Sequence, residues 1–435
     1  MNTFQTVVIG VFITLTIVGV GVFALYGGAL GGSSVGPVVL WGTEDSGAMS
    51  SVLDQLRAQD KSFQDVQYIQ KSTTSYEGDL VSAMAAGVGP DLFLVTQAQV
   101  SQFEDKIAIV PYKTVSQSAF VNSYIDEGQL FLTSSGALAL PFLVDPMVMY
   151  YNKDMLSGTG VAQAPKFWND FLALAPKITV LDPTRQVKLS AVALGTWPNI
   201  NHAKEILAML FIQAGDPITS RGAGGVLVSN LGYRGTGSVS GPAESALQFY
   251  TEFANPSKTT YSWNKSLPQS KDAFVGASTA VYFGLASEYQ SLLSRNPNIK
   301  VGVAVVPQLT GNAARATFGV ITGVAVSRSA PNYSGALLIA QKLTSQAGVT
   351  TLARVLPLPP VRRDVALDTS ASAAASVFVE SSLIARGWLD PNPQATDPLF
   401  QGMIESVISG KADPSAAVGD ASAQLSQLLQ GSTYR

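Results

Sequence analysis

At 435 residues the chain exceeds the size at which one hydrophobic core usually keeps growing, which predicts two compact lobes with a cleft between them. Its 27 basic and 30 acidic side chains leave a formal charge of -3 with no Lys or Arg cluster, so nucleic acid is excluded as an expected partner. Cysteine is absent, which removes disulfides, thiolate metal sites and Cys nucleophiles together.

The first element is Val7–Leu25, a 19-residue run without charge. As a helix it would rise ~28 Å, enough to cross a bilayer. Met1 to Gln5 lacks the basic n-region of a secretory signal, and this apolar core is longer than such signals carry. The expectation is a single-pass N-terminal anchor at the cell membrane with the rest of the chain outside the cytoplasm. Secretion after cleavage near Gly27-Gly28-Ala29 is the alternative. The stretch to Pro37 is Gly/Ser-rich and reads as a tether.

From Val38 the chain alternates β and α signals. "VVLW" is a short strand ending at Gly42-Thr43-Glu44-Asp45, and Met49, Val52, Leu53 and Leu56 then recur at helical spacing. A strand near Val66–Ile69, a helix near Glu77–Ala86 and a strand over Asp91–Val95 repeat the unit. Helices are predicted near Phe167–Ala175, Ala203–Ala214, Ala243–Phe253, Tyr333–Ser345, Pro398–Ser409 and Pro414–Leu429. Further strands are predicted near Ser190–Leu194, Val301–Val306 and Val320–Val326. This order predicts an α/β protein with mainly parallel sheets covered by helices, whose ligands settle beyond the carboxyl ends of the strands. The glycine-rich Arg221–Pro242 reads as a surface hairpin. It is no phosphate loop, because the terminal Gly-Lys-Ser/Thr is missing.

"DPMVMYYNKDML", Asp145 to Leu156, sets two tyrosines side by side before an abrupt polar break. Strand side chains alternate, so Tyr150 and Tyr151 face opposite ways and only one can serve a cleft. Asn152 reads as the N-cap of the short helix that follows. Trp41 with Glu44-Asp45, and Trp197 with Asn199, each place an aromatic plane near polar groups. That pairing suits a pyranose, with its apolar C–H faces and hydroxyl rim. A tryptophan is as readily core as platform, and Trp168, with Phe171, Leu172 and Ala175 at helical spacing, reads as core. The single histidine, His202, cannot make a zinc site without cysteine and reads as structural; Glu288 and Tyr289 read as a solvated helix face, with reach into the cleft as the alternative. No cofactor or metal is expected.

The order of local signatures resembles a family. "VVLWGTED", "GVGPDLFLV", "DPMVMYYNKDML" before "APKFWNDF", then "AFVGASTAVYFG", "FGVITGVAVS", "LARVLPLPP" and "ARGWLDPNPQ" follow the landmarks of maltose-binding-protein-like solute-binding proteins of ATP-driven (ABC) importers. The resemblance runs from about Val38 to Leu429. It implies a two-lobed periplasmic-binding-protein (type II) fold joined by two or three crossing segments, with lobe 1 over 38–144 plus 306–358 and lobe 2 over 145–305 plus 359–435. The function it implies is capture of a sugar by a monomer and delivery to ABC permease subunits. Carried over residue by residue, it places Trp41, Glu44, Asp45, Thr96 and Gln97 on the first wall and Asp145 at the crossing. Trp197, Asn199, Tyr282, Phe283 and Trp388 fall on the second, and Tyr151 joins the candidates because it shares the strand parity of Asp145. Leu285-Ala286-Ser287 follows "YFG" where many sugar binders carry Trp, so one stacking surface is missing. Two other classes stay open: a membrane-tethered sensor with the same fold, and a glycan hydrolase using Asp45 and Asp145 as its carboxylate pair. Arg221 is the one cleft-side candidate for an anionic ligand.

Overall fold

A computed structural model describes residues 35–161, 163–233, 241–311, 314–370 and 372–432. The expected membrane anchor, Val7–Leu25, lies outside the described residues. Among the described residues no helix is long and apolar enough to cross a membrane.

Ten strands build one continuous sheet: β1 Val38–Gly42, β2 Val66–Gln70, β3 Leu92–Thr96, β4 Leu140–Asn152, β5 Val180–Leu181, β6 Val187–Val192, β7 Thr279–Leu285, β8 Val301–Ala304, β9 Thr317–Val326 and β10 Ala385–Arg386. The order is β2-β1-β3-β9-β4-β7-β6-β5, with β8 also on β4 and β10 on β9. Pairs made through helical crossovers are parallel, as in β1 with β2 and β3, and β6 with β7. Strands β4 and β9 run past each other in opposite senses, and β4 also pairs antiparallel with β7 and β8. The expectation of mainly parallel sheets is therefore corrected to a mixed sheet. The mixing centres on the two crossing strands: β4 and β9 pair antiparallel with each other, β4 with β7 and β8, and β9 with β3.

Two large apolar clusters flank the crossing. The first gathers residues from Val38 to Val144 and from Ile321 to Val365, with Ala385 and Leu389. The second includes Met147, Met149, Trp168, Phe211, Trp263, Phe283 and Trp388. A smaller one, with Val148, Tyr150, Phe274, Tyr282 and Phe378, covers the other face of the second half-sheet. The parity of β4 explains the division, since Met147 and Met149 enter one cluster while Val148 and Tyr150 enter the other.

Local chemistry fixes the ends of these elements. Asp45 caps the helix Ser46–Gln59 by accepting from the Ala48 N–H at 2.8 Å, and Met49, Val52, Leu53 and Leu56 form its buried stripe. Asn152 caps Lys153–Ser157 by accepting from the Asp154 and Met155 N–H groups. The predicted helix from Tyr333 ends at Leu343, because the Ser345 hydroxyl accepts from Gly348 N–H and starts a new helix, Gln346–Val355. A further helix, Ala373–Leu383, carries an Ala/Ser-rich sequence with little amphipathic signal.

Candidate functional site

The carboxyl ends of β1 and β7 point toward the crossing from opposite sides, and acids gather there. Glu44 follows β1; its backbone carbonyl accepts from the Tyr68 hydroxyl at 2.8 Å, which pins the loop. Asp145 lies in β4 opposite Val320 of β9 and accepts from the Ser287 N–H at 3.0 Å. Glu288, one residue on, accepts from the Tyr282 hydroxyl at 2.7 Å, shares a 3.2 Å hydrogen bond with His202 Nε2 and receives Lys271 Nζ at 3.3 Å.

Charge divides these acids into two kinds. Burial pushes the Asp145 carboxyl up to about 6, with Ser287 opposing the rise and Glu288 adding to it. Glu44 is also raised, first by burial and then by Asp145, so the two sit within electrostatic reach across the crossing. Burial acts on Glu288 too, but the hydrogen bond and charge of His202, with Tyr282 and Lys271, hold it below the usual carboxylate range. His202 is raised in turn: Glu288 overcomes the desolvation that disfavours the imidazolium. Glu288 is thus a neutralised anchor, whereas Glu44 and Asp145 keep free acceptor capacity. Among the described residues no hydrogen bond reaches the Glu44 carboxylate.

The other expected residues fall into distinct environments. Trp41 is buried, its ring lying under Lys71 Nζ at 3.6 Å. Asp45 is engaged as a helix cap, and Thr96 Oγ1 donates to Gln99 Oε1 at 3.1 Å. Gln97 is buried; its amide donates to Gly319 O and accepts from Ile321 N–H, both at 2.9 Å, which extends the pairing of β3 with β9 by a side chain. Asn199 is fully used, accepting from Thr196 Oγ1 and Trp263 Nε1 while donating to the carbonyls of Asn264 and Leu267. Trp388 stacks on Phe400 at 5.8 Å inside the second core, and Phe283 packs there against Trp168. Tyr282 is buried beneath Glu288. Trp197 is half-buried in the loop after β6 and packs in part against the second core.

The paired phenols separate as strand alternation requires. Tyr150 is enclosed and donates to Leu285 O at 2.7 Å. Tyr151 is half-buried, with its ring over Gly302, where a Cβ would collide with it. Arg221 lies 3.6 Å from Glu104 rather than beside the acids, with its Nη1 donating to Gly225 O. His202, Lys271 and Glu288 were not legible as a group. His202 and Glu288 are 86 positions apart, and no local pattern in the sequence links them.

Beside Ser287 a cavity of about 580 Å³ opens between the lobes. Tyr289 and Phe378 stand on one wall and the end of the helix Gln346–Val355 on the other.

Comparison with known proteins gives these features a context. A family model described as bacterial extracellular solute-binding protein matches residues 56–379. A binding protein of Brucella abortus (strain 2308) is 22% identical over 369 residues, covering 81% of this chain and 82% of that one. Among solved structures, the sugar-binding protein MalE of Xanthomonas citri superposes with a TM-score of 0.73 at 16% identity, covering 92% of this chain and 98% of that one. A cyclic α-maltosyl-1,6-maltose binding protein of Arthrobacter globiformis gives 0.73 at 16% identity, covering 91% and 100%. A solute-binding protein of an ABC transporter from Thermotoga lettingae, bound with α-D-tagatose, gives 0.65 at 19%, covering 91% and 100%. At these identities the structural likeness establishes the two-lobed solute-binding fold.

Proposed function

This chain belongs to the bacterial extracellular solute-binding proteins, and from that premise we propose that it captures a carbohydrate between its lobes and delivers it to the permease of an ABC importer. The observation that carries the reading is the pair Glu44 and Asp145. They are two desolvated carboxyls from different sides of the crossing, with acceptor capacity that the protein does not use. A polyhydroxylated ligand supplies the missing donors to both at once. Hydroxyls that bridge the two sides favour the closed arrangement over the open one, and that difference is what turns occupancy into a shape a permease can read. Trp197, half-buried in the loop after β6, offers a ring face to the sugar's C–H surface. The carbohydrate class is supported by the MalE, maltosyl-maltose and tagatose binders of like fold.

In this reading lobe 1 takes 38–144 with 306–358 and lobe 2 takes 145–305 with 359–435. Val361, Val365, Ala385 and Leu389 pack in the first core, and Val306 and Phe318 in the second, so these segments serve as the crossings between the lobes. Val7–Leu25 serves as the anchor that holds a monomer at the outer face of the membrane, within reach of its permease. A thermal-shift screen over sugars, polyamines and peptides, with scattering on each hit, tests the reading. A carbohydrate should raise the melting temperature and reduce the radius of gyration. Stabilisation by a polyamine or peptide alone would overturn the carbohydrate class.

A further inference from the structure

The cavity beside Ser287 is mostly apolar, unlike the acid pair it adjoins. Among its described lining residues only Arg354 and Asp368 carry charge, and their charges oppose each other. The apolar part of the lining includes Leu356, Leu358, Phe378 and Val379 together with Pro357 and Pro359, and Gln290, Thr350, Thr369 and Ser372 belong to its uncharged polar part. One wall comes from the helix Gln346–Val355, which packs on the first core through Val349 and Leu352; the other comes from Tyr289 and Phe378 of the third cluster. A space with walls on both lobes changes when the lobes move, so anything filling it is coupled to closure.

Two further observations connect the cavity to the acids. Ser287 lines it and also supplies the N–H that holds Asp145, while its neighbour Ala286 is too small to fill the space. An aromatic column runs from one to the other. Tyr282, under Glu288, stacks on Tyr150 at 6.1 Å, Tyr150 on Tyr289 at 6.3 Å, and Tyr289 meets Phe378 edge-on at 5.7 Å. The buried phenol Tyr150 thus joins the ring that bonds Glu288 to the ring that lines the cavity.

We propose that this cavity receives an apolar substituent of the ligand, an aryl or short alkyl group carried on the sugar that Glu44 and Asp145 hold. The inference rests on the carbohydrate reading above and adds the ligand's second half. A polar head alone would leave a mostly apolar inter-lobe space of about 580 Å³ for water to fill.

Methyl, butyl and phenyl glycosides of glucose, galactose and maltose, titrated calorimetrically into the full chain in lipid nanodiscs, test this. Each buried methylene is worth about fourfold in affinity, the equivalent of ~0.8 kcal/mol, so a butyl glycoside should bind tenfold or more tighter than its methyl partner. Ala375→Trp and Ala353→Trp each fill the cavity, one from each lobe, at half-buried helix positions. Either should abolish the gain while methyl glycoside affinity stays within about twofold. Methyl glycosides bound with no gain from butyl or phenyl, or a gain that survives in both variants, overturns the cavity inference and leaves the sugar reading standing. No binding by any glycoside removes both.

Discussion

Two carboxyls, Asp145 half-buried and Glu127 fully buried, lie where strands cross between the lobes, and their surroundings differ. Asp145 has a donor in Ser287, with His202 near enough to lower its pKa, and titrates at about 6. Glu127 is 1% exposed, and neither of its oxygens has a hydrogen-bond partner. It is wedged against Gly319 of β9 and Gly387 just after β10, where a Cβ at either position would run into its carboxylate. Burial lifts it to about 8, although Arg386 pulls the other way; that guanidinium is bonded to Asp126, which also pairs with Arg363. The difference teaches that burial alone does not make an acid a ligand group. Asp145 keeps its charge near neutrality and faces Glu44, whereas Glu127 is held neutral as a packing element of the crossing.

The largest expected effect follows from Glu127. Its folded pKa, near 8, lies above the ordinary 4.5, so the folded state binds the proton more tightly than the unfolded one. The associated stability is fully present below pH 4.5 and is lost as pH rises through 8, at most roughly 4–5 kcal/mol for the whole span. Melting temperatures of the wild type should therefore fall between pH 6 and pH 9 while those of Glu127→Gln stay nearly level. Equal slopes would show that Glu127 is ionised or solvated in the folded state, and the contrast with Asp145 would break.

Next in size is the contrast between two tryptophans that read alike in the sequence. Trp388→Ala removes a ring stacked on Phe400 in the second core and should cost about 3–5 kcal/mol of stability. Trp197→Ala, at a half-buried loop position, should cost far less stability and instead weaken sugar binding by about tenfold, the value of roughly one aromatic contact. Denaturant midpoints and calorimetric affinities on the same two variants separate the outcomes. Equal losses of stability would place both rings in the core.

These pairs also mark what the sequence could convey. Periodicity located most strands and helices: Ala203–Ala214 has the bounds its apolar spacing predicts, and the parity of Asp145 to Tyr151 sorts side chains onto the faces the structure shows. It missed Gln346–Val355 and Ala373–Leu383, where a side-chain cap or an Ala/Ser-rich surface carries the signal instead. Residue type alone could not say who uses a polar group. Gln97 and Asn199 have the chemistry of sugar ligands, but Gln97 spends its amide on a strand 222 positions away and Asn199 on a loop 65 to 68 away. Glu44 just after a strand and Asp145 inside an apolar one stand out in the sequence as candidates, because a carboxylate has no local structural task at either position.

The sharpest test of that last point is Asp145→Asn. The amide keeps the shape of the carboxyl and an oxygen that can accept from Ser287 N–H, but it removes the charge and its repulsion of Glu44. A hydrogen bond to a charged acceptor is worth about 1.5–3 kcal/mol, against about 1 for a neutral one, so affinity for the sugar should fall by roughly three- to thirtyfold. The sign of the pH dependence discriminates further. In the wild type, protonation of Asp145 as pH drops through about 6 turns a strong acceptor into a weaker one, so binding should weaken from pH 7 to pH 5. Asp145→Asn has no such proton to take up, and the raised Glu44 loses part of the cause of its elevation. Its affinity should change less over the same range, read by calorimetry at three pH values. An unchanged wild-type slope in the variant would transfer the titration to Glu44 and make the loop after β1, rather than the crossing strand, the acid that holds the ligand.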